Sequence, residues 1–192
     1  MRKIPILWLV VSFLLPLPAL AANVPVPAYS LVKDKSMLKF VAIQNGAPIE
    51  GNFKDFTADI HFDPKQLDKS SIKVEVNTAS VSTPNEDVEQ NIKLPEWLST
   101  QAFPKAMFKC TKLTRMPQSD NYYADGQLTL RGKMLPVVLN FQMEHLDDKT
   151  AIAKGYITLH RRDFGIGQGQ WAKDDVIKDE VRVEFRVVAE KK

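Results

Sequence analysis

The sequence predicts an all-β fold, an antiparallel barrel of roughly eight strands with a short helical insertion. Apolar and polar residues alternate through most of the chain after Tyr29, with the period of two that is typical of strands. Short turn sequences such as those at 45–46 and 125–126 separate the alternating segments. The alternation stops over 83–103, and a helix is expected there.

The alternating segments place apolar side chains on one face of each strand. In the first of them, Phe56, Ala58 and Ile60 share a face, whereas Thr57 and Asp59 lie on the other. The segments are 56–62, 72–76, 128–130, 135–143, 155–159 and 181–187. Strands with one dry face and one wet face, joined by short turns, indicate a sandwich or an up-and-down barrel. The barrel is favoured because closure removes the exposed strand edges.

The interrupted stretch predicts a helical insertion. Thr83-Pro84 can cap and open a helix that continues to Ile92, and the acidic residues Glu86 and Asp87 suit its N-terminus. Prolines at 95 and 104 then mark an irregular return to the strands. Such an insertion could plug one end of a barrel, or it could serve only as hydrophobic cover.

Charge and cysteine content exclude several classes of protein. The chain carries 26 basic and 23 acidic residues with both signs interspersed, so neither a nucleic-acid surface nor a polybasic membrane patch is expected. Cys110 is the only cysteine, so no internal disulfide can form. Its parity with Ala106 and Phe108 predicts a small buried apolar side chain rather than a reactive thiol.

The sequence contains no local pattern that carries catalysis. The three histidines, at 61, 145 and 160, lack the spacing of a metal site. The glycines at 165, 167 and 169 lead into Lys173-Asp174-Asp175 rather than into a helix, so a phosphate loop is disfavoured. We therefore expect no catalytic residue, no metal and no cofactor.

Six separated segments resemble one family. They are LTLRGK at 128–133, RDFGI at 162–166, SVST at 80–83, the 97–104 stretch with Phe108, SMLKF at 36–40 and GNF at 51–53. Their order and spacing are similar to those of the YceI family over almost the whole mature chain, which is expected to comprise residues 22–192. The resemblance implies a lipocalin-like, eight-stranded antiparallel barrel that binds a polyisoprenoid, such as a quinone or a polyprenyl phosphate, without catalysis.

The resemblance and the alternation together predict two groups of ligand-binding residues. The apolar lining is expected to comprise Phe40, Phe53, Phe56, Phe108, Val137, Leu139, Phe141, Ile157 and Phe164. The mouth or head-group residues are expected to be Lys35, Asn91, Arg131, Arg162 and Trp171. Lys35, Asn91 and Glu89 depart from the usual family pattern, and these departures fall where a head group would be recognised.

The predicted function is a carrier of an isoprenoid lipid, which would contact the membrane transiently and could form a homodimer. One alternative is a packed barrel that binds a protein partner or serves in envelope stress, through the segment from Pro84 to Pro104. Another is an enzyme acting on a small amphiphile through His160, Asp163 or Cys110.

The N-terminus predicts export. Arg2 and Lys3 precede an apolar run of about 14 residues, which is shorter than a membrane span, and small residues precede a cut after Ala21. Residues 1–21 are therefore expected to be a cleaved signal peptide, and 22–192 one domain in the periplasm.

Overall fold

The structure, a computed structural model, describes residues 24–192, so the expected signal peptide lies outside the described residues. The strands are β1 (Ala28–Leu31), β2 (Met37–Gln44), β3 (Ala47–Phe53), β4 (Phe56–His61), β5 (Ser71–Asn77), β6 (Val81–Ser82), β7 (Lys105–Arg115), β8 (Asn121–Leu130), β9 (Lys133–Leu146), β10 (Thr150–His160) and β11 (Ile177–Lys191). One α-helix, α1 (Glu86–Lys93), lies between β6 and β7.

These strands form a closed antiparallel barrel of eight positions, as predicted. The hydrogen-bonded ring runs β1-β4-β5-β7-β8-β9-β10-β11 and closes where β1 pairs with β11. β2 also pairs with β11, nearer its start, so β1 and β2 occupy successive parts of one position. In the same way β3 continues into β4, and β5 into β6. Three of the eight barrel strands are each made of two segments, which is why eleven strand segments form an eight-stranded barrel.

The three interruptions lie in neighbouring strands of the barrel. A 3-10 helix (Lys33–Lys35) separates β1 from β2, and another (Thr78–Ser80) separates β5 from β6. Asp55, between β3 and β4, accepts hydrogen bonds from Lys33 at 3.1 Å and from the Asn77 side chain at 3.3 Å. These hydrogen bonds lower the pKa of Asp55. They also connect the interruption at Asp55 to the other two, because Lys33 and Asn77 lie there.

The helical insertion begins later than the sequence predicts. Asn85, not Thr83, is the N-cap of α1, and its side-chain oxygen accepts a hydrogen bond from the Val88 backbone N–H at 3.2 Å. Thr83 instead donates its hydroxyl to the Asn85 carbonyl at 2.6 Å. Threonine and asparagine are both favourable at the N-cap position, and the residue at which the first helical turn begins determines which of them occupies it.

The two ends of the barrel differ. The helix end carries α1 with its return (83–104), the turns at 45–46 and 131–132, and the loop 161–176. The closed end is filled by aromatic rings: Tyr122 stacks on Phe141 at 5.1 Å, and Phe62 meets Tyr122 edge-on at 5.5 Å. Phe62 and Tyr122 are each only 3% exposed, so this end is shut to solvent.

Glycines at inward positions let aromatic rings lie against the wall. A Cβ on Gly126 would lie 2.6 Å from the ring of Phe108. A Cβ on Gly155 would lie 2.7 Å from the Phe185 ring and would collide with the Asn140 carbonyl oxygen. Backbone atoms cannot yield as a flexible side chain does, so Gly155 is required by space alone.

We predict that Gly155→Ala lowers the free energy of unfolding by roughly 1–3 kcal/mol through overpacking. Urea unfolding followed by tryptophan fluorescence measures the change. Gly46→Asn is the control, because a Cβ there meets nothing within 4 Å and asparagine tolerates a positive φ. Equal stability of Gly155→Ala and wild type would contradict the steric account.

Candidate ligand-binding cavity

The inward faces of the strands enclose an apolar cavity of about 400 Å³. All nine residues predicted as apolar lining contribute to its wall: Phe40, Phe53, Phe56, Phe108, Val137, Leu139, Phe141, Ile157 and Phe164. For the eight strand residues this placement follows from alternation, whereas Phe164 reaches the cavity from the loop 161–176. That they bind a ligand stays a prediction.

The cavity opens toward the helix end. Gln44 at the end of β2 and Ile49 on β3 line it from one side, and Val88 and Asn91 on α1 line it from another. Trp171 completes this rim and packs on Trp97 with 5.7 Å between ring centroids. Two of the five predicted mouth residues, Asn91 and Trp171, therefore do line the cavity.

The other three predicted mouth residues lie elsewhere. Lys35 is exposed in the 3-10 helix between β1 and β2, opposite Val188 near the end of β11, because the chain leaves the wall there. Arg131 has a positive φ of 49° in the β8–β9 turn, so its side chain reaches the return segment and donates to the Pro95 carbonyl at 2.7 Å. Arg162 turns away from the cavity and pairs with Asp179 at 2.9 Å.

Arg161, which was not predicted as a site residue, lines the cavity and is only 2% exposed. Its Nε donates to the Lys178 carbonyl at 3.1 Å. Its other four N–H groups donate to the carbonyl oxygens of Ile166, Gly167, Lys173 and Ile177 at 2.8–3.3 Å. All five guanidinium donors are therefore satisfied by backbone. The alternation along β10 indicates that Arg161 faces inward, because Ile157 and Leu159 do so and Arg161 is the next residue in the same series.

Arg161 organises the loop 161–176 and joins it to the return segment. Its guanidinium lies 5.8 Å from the centroid of the Trp97 ring. Beside it, the backbone N–H groups of Gly167 and Gln168 both donate to the Glu96 carbonyl, at 2.8 and 2.9 Å. Gly167 has a positive φ of 75°, and a Cβ there would collide with the Arg161 guanidinium. These contacts hold the loop 161–176 against the return segment on this side of the mouth.

The groups considered for chemistry lie outside the cavity wall. His160 pairs with Asp179 at 3.2 Å, and Asp163 is exposed. Cys110 is half-buried rather than fully buried, because a bulge follows it in β7, and burial raises the pKa of its thiol. Within residues 24–192, no group of three or more His, Cys, Asp or Glu side chains is arranged to hold a metal ion.

Asp179 is held ionised at the helix end. The hydrogen bond from the Arg162 side chain is the main cause that lowers the pKa of Asp179 from 3.8 to about 2, and burial opposes it. At the opposite end, backbone N–H groups of Lys149 and Thr150 lower the pKa of Asp147 to about 2.

Among helices in the described part of the chain, none has the length and apolar character to cross a membrane.

We predict that Arg161→Met lowers the free energy of unfolding by roughly 2–4 kcal/mol, since it leaves several buried carbonyls without donors. Arg161→Lys should recover only part of this loss, because an ammonium has three donors. Urea unfolding and amide hydrogen exchange over 162–176 measure both. Arg182→Met is the control, because Arg182 is a half-exposed surface side chain. The account fails if Arg161→Lys matches wild type in both measurements.

We predict that Arg162→Gln raises the pKa of Asp179 toward its ordinary value. A carboxyl with a lowered folded-state pKa stabilises the fold above about pH 4, and this contribution, about 2 kcal/mol at most, is lost as pH falls toward 2. The variant should therefore lose less stability than wild type over that range. Side-chain NMR titration measures the pKa, and Asp147 should stay near 2 as the internal control. An unmoved Asp179 would refute the assignment to Arg162.

Comparison with known proteins identifies the family. Residues 29–189 match the YceI-like domain. Protein YceI of Salmonella arizonae and a UPF0312 protein of Serratia proteamaculans are each 32% identical to this chain over 93 residues, which is 48% of this chain. The aligned part spans about half the length of these curated relatives, 48% of the first and 47% of the second.

Solved structures share the fold. Burkholderia cenocepacia BcnA superposes with a TM-score of 0.78 at 25% identity, covering 82% of this chain and 98% of that one. A polyisoprenoid binding domain from Saccharophagus degradans, implicated in plant cell wall breakdown, gives 0.67 at 17% identity and covers 86% and 99% of the two chains. Because the family match extends over the whole barrel, this chain belongs to the YceI-like domain family.

Proposed function

We propose that this protein binds an isoprenoid lipid in its barrel and carries it through the aqueous space outside the cytoplasm. The observation that carries the proposal is the apolar cavity of about 400 Å³ inside a closed barrel. Ligand pockets of drug-sized molecules occupy about 300–1,000 Å³ and are mostly apolar. The related domain described as polyisoprenoid binding supports an isoprenoid as the lipid class.

The shape of the cavity suits a chain-like ligand with one polar end. The closed end is shut by Phe62, Tyr122 and Phe141, so a ligand would enter from the helix end and lie along the barrel. Ring residues such as Phe40 and Phe53, with centroids 6.0 Å apart, line the middle. The tail would therefore lie deep, and the head would remain near Gln44 and Asn91.

Location outside the cytoplasm rests on the sequence of the first 21 residues. The basic start, the short apolar run and the small residues before Ala22 support a cleaved signal. A barrel released in this way would meet lipids of the envelope. Transient membrane contact would then be needed to load it.

The cavity also weighs against the two alternatives. A packed barrel that works only through its surface needs no open interior. An enzyme on an amphiphile would need a reactive group at the cavity, whereas His160, Asp163 and Cys110 do not line it. We therefore propose binding rather than catalysis.

The test is extraction of the purified protein with organic solvent and mass spectrometry of the extract, using a matched pair of variants on β4. Ala58 lines the cavity, whereas its neighbour Thr57 is exposed on the outer face. Ala58→Phe should reduce retained lipid by about tenfold or more, equal to about 1.4 kcal/mol, because the ring occupies ligand space. Thr57→Phe should retain lipid as wild type does. Lipid-free wild type that also takes up no added isoprenoid would overturn the proposal.

A further inference from the structure

The cavity mouth offers few polar groups. Among the described residues that line the cavity, Thr78 is one of the few with a polar side chain, and its hydroxyl is already donated to the Phe103 carbonyl at 2.8 Å. Asn91 donates one N–H to the Asp87 carbonyl at 2.8 Å, which leaves its side-chain oxygen free to accept. Gln44 is half-buried on the inward side of β2 and makes no side-chain hydrogen bond within residues 24–192. Two neutral amides, together with the neutral indole N–H groups of Trp97 and Trp171, therefore remain for a ligand head.

Arg161 is the one cation among the described residues that line the cavity, but all of its donors are already used. Each of its five N–H groups is held by a backbone carbonyl. Burial lowers the pKa of Arg161 and the charge of Arg162 adds to this effect, whereas the nearby carboxylates of Asp179 and Asp174 oppose it. A phosphate at the mouth would receive no hydrogen bond from it.

The start of α1 does not supply an anion site either. Its N-cap is occupied by the Asn85 side chain, and Glu86, Asp87 and Glu89 give its first turn a negative charge. Lys93 is paired with Glu89 at 2.9 Å. A phosphate brought to this rim would meet carboxylates, and removing it from water without a counter-charge is strongly unfavourable.

We infer that this cavity selects isoprenoid lipids whose head is uncharged and forms hydrogen bonds, such as an alcohol or a carbonyl compound, over polyprenyl phosphates. Gln44 and Asn91 are the residues that contact the head. A primary amide both donates and accepts, which matches a hydroxyl or carbonyl without adding charge. This inference rests on the proposed function and specifies the ligand class at the same site.

The test compares two lipids with the same tail, geranylgeraniol and geranylgeranyl phosphate, on the purified full-length protein freed of lipid. We expect the alcohol to bind at least tenfold more tightly at pH 8. Lowering the pH toward 5 should improve binding of the phosphate, because it takes up a proton with a pKa near 6, and should leave the alcohol unchanged. Lys173→Gln should change neither affinity, because Lys173 is a rim residue that does not line the cavity.

Two substitutions at Gln44 test its role directly. Gln44→Leu should weaken binding of the alcohol about fivefold to tenfold, as expected for the loss of one hydrogen bond. Gln44→Arg should reverse the preference, because it adds to the cavity lining a cation whose donors are free. Gln142→Leu on the outer face of β9 is the matched control and should bind as wild type does. Thermal melting checks that each variant folds.

The outcomes separate the inference from the proposed function. If the phosphate binds wild type as tightly as the alcohol or more tightly, the inference is wrong and the lipid-carrier function stands. The same holds if Gln44→Leu and Gln44→Arg leave both affinities unchanged. If neither lipid binds wild type or any variant, the proposed function fails and the inference fails with it.

Discussion

The pairing of β1 with β11 is the contact on which the rest of the structure depends. Tyr29 and Leu31 of β1 lie opposite Lys191 and Ala189 of β11, and this short ladder closes the ring. A closed ring satisfies most of its backbone hydrogen bonds within the wall, and among the described strands only the two-residue β6 lacks a second partner strand. An aromatic cluster then shuts the interior at one end, and the α1 segment lines its opening at the other. The cavity is thus a consequence of closure.

The mouth shows a second constraint, set by Arg161. A guanidinium that donates to five carbonyls holds a 16-residue loop in a single arrangement and fastens it to the return segment. Elsewhere around the mouth, Gln44 at the end of β2 and Asn91 on α1 line the cavity. Burial of a cation here is tolerated only because every donor is satisfied. Arg161 lines the cavity, but its hydrogen bonds therefore go to backbone carbonyls and not to a ligand.

The sequence predicted the wall of the barrel better than its mouth. Alternation depends only on the strand repeat, so one buried residue indicates the direction of the next, and all nine predicted lining residues contact the cavity, eight from strands and Phe164 from the loop 161–176. The mouth is made of turns, where no such repeat holds. Arg131 is turned outward by a positive φ, and Lys35 lies where a 3-10 helix interrupts an apparently continuous strand. Arg162 was named in place of Arg161, a shift of one residue that exchanges the outside of a strand end for the inside.

The division between wall and mouth also divides the work of binding. A lipid tail in a membrane is already dry, so moving it into an apolar barrel gains little from the hydrophobic effect. The wall accordingly permits many tails and distinguishes them mainly by length and shape. Preference among lipids must arise where polar atoms leave water, because an unsatisfied buried polar group costs about 1–3 kcal/mol, whereas a satisfied one costs little. In this protein those atoms belong to the side-chain amides of Gln44 and Asn91 and to the neighbouring indole N–H groups of Trp97 and Trp171. The chemistry of so few groups can decide the cargo of a cavity that is otherwise almost featureless.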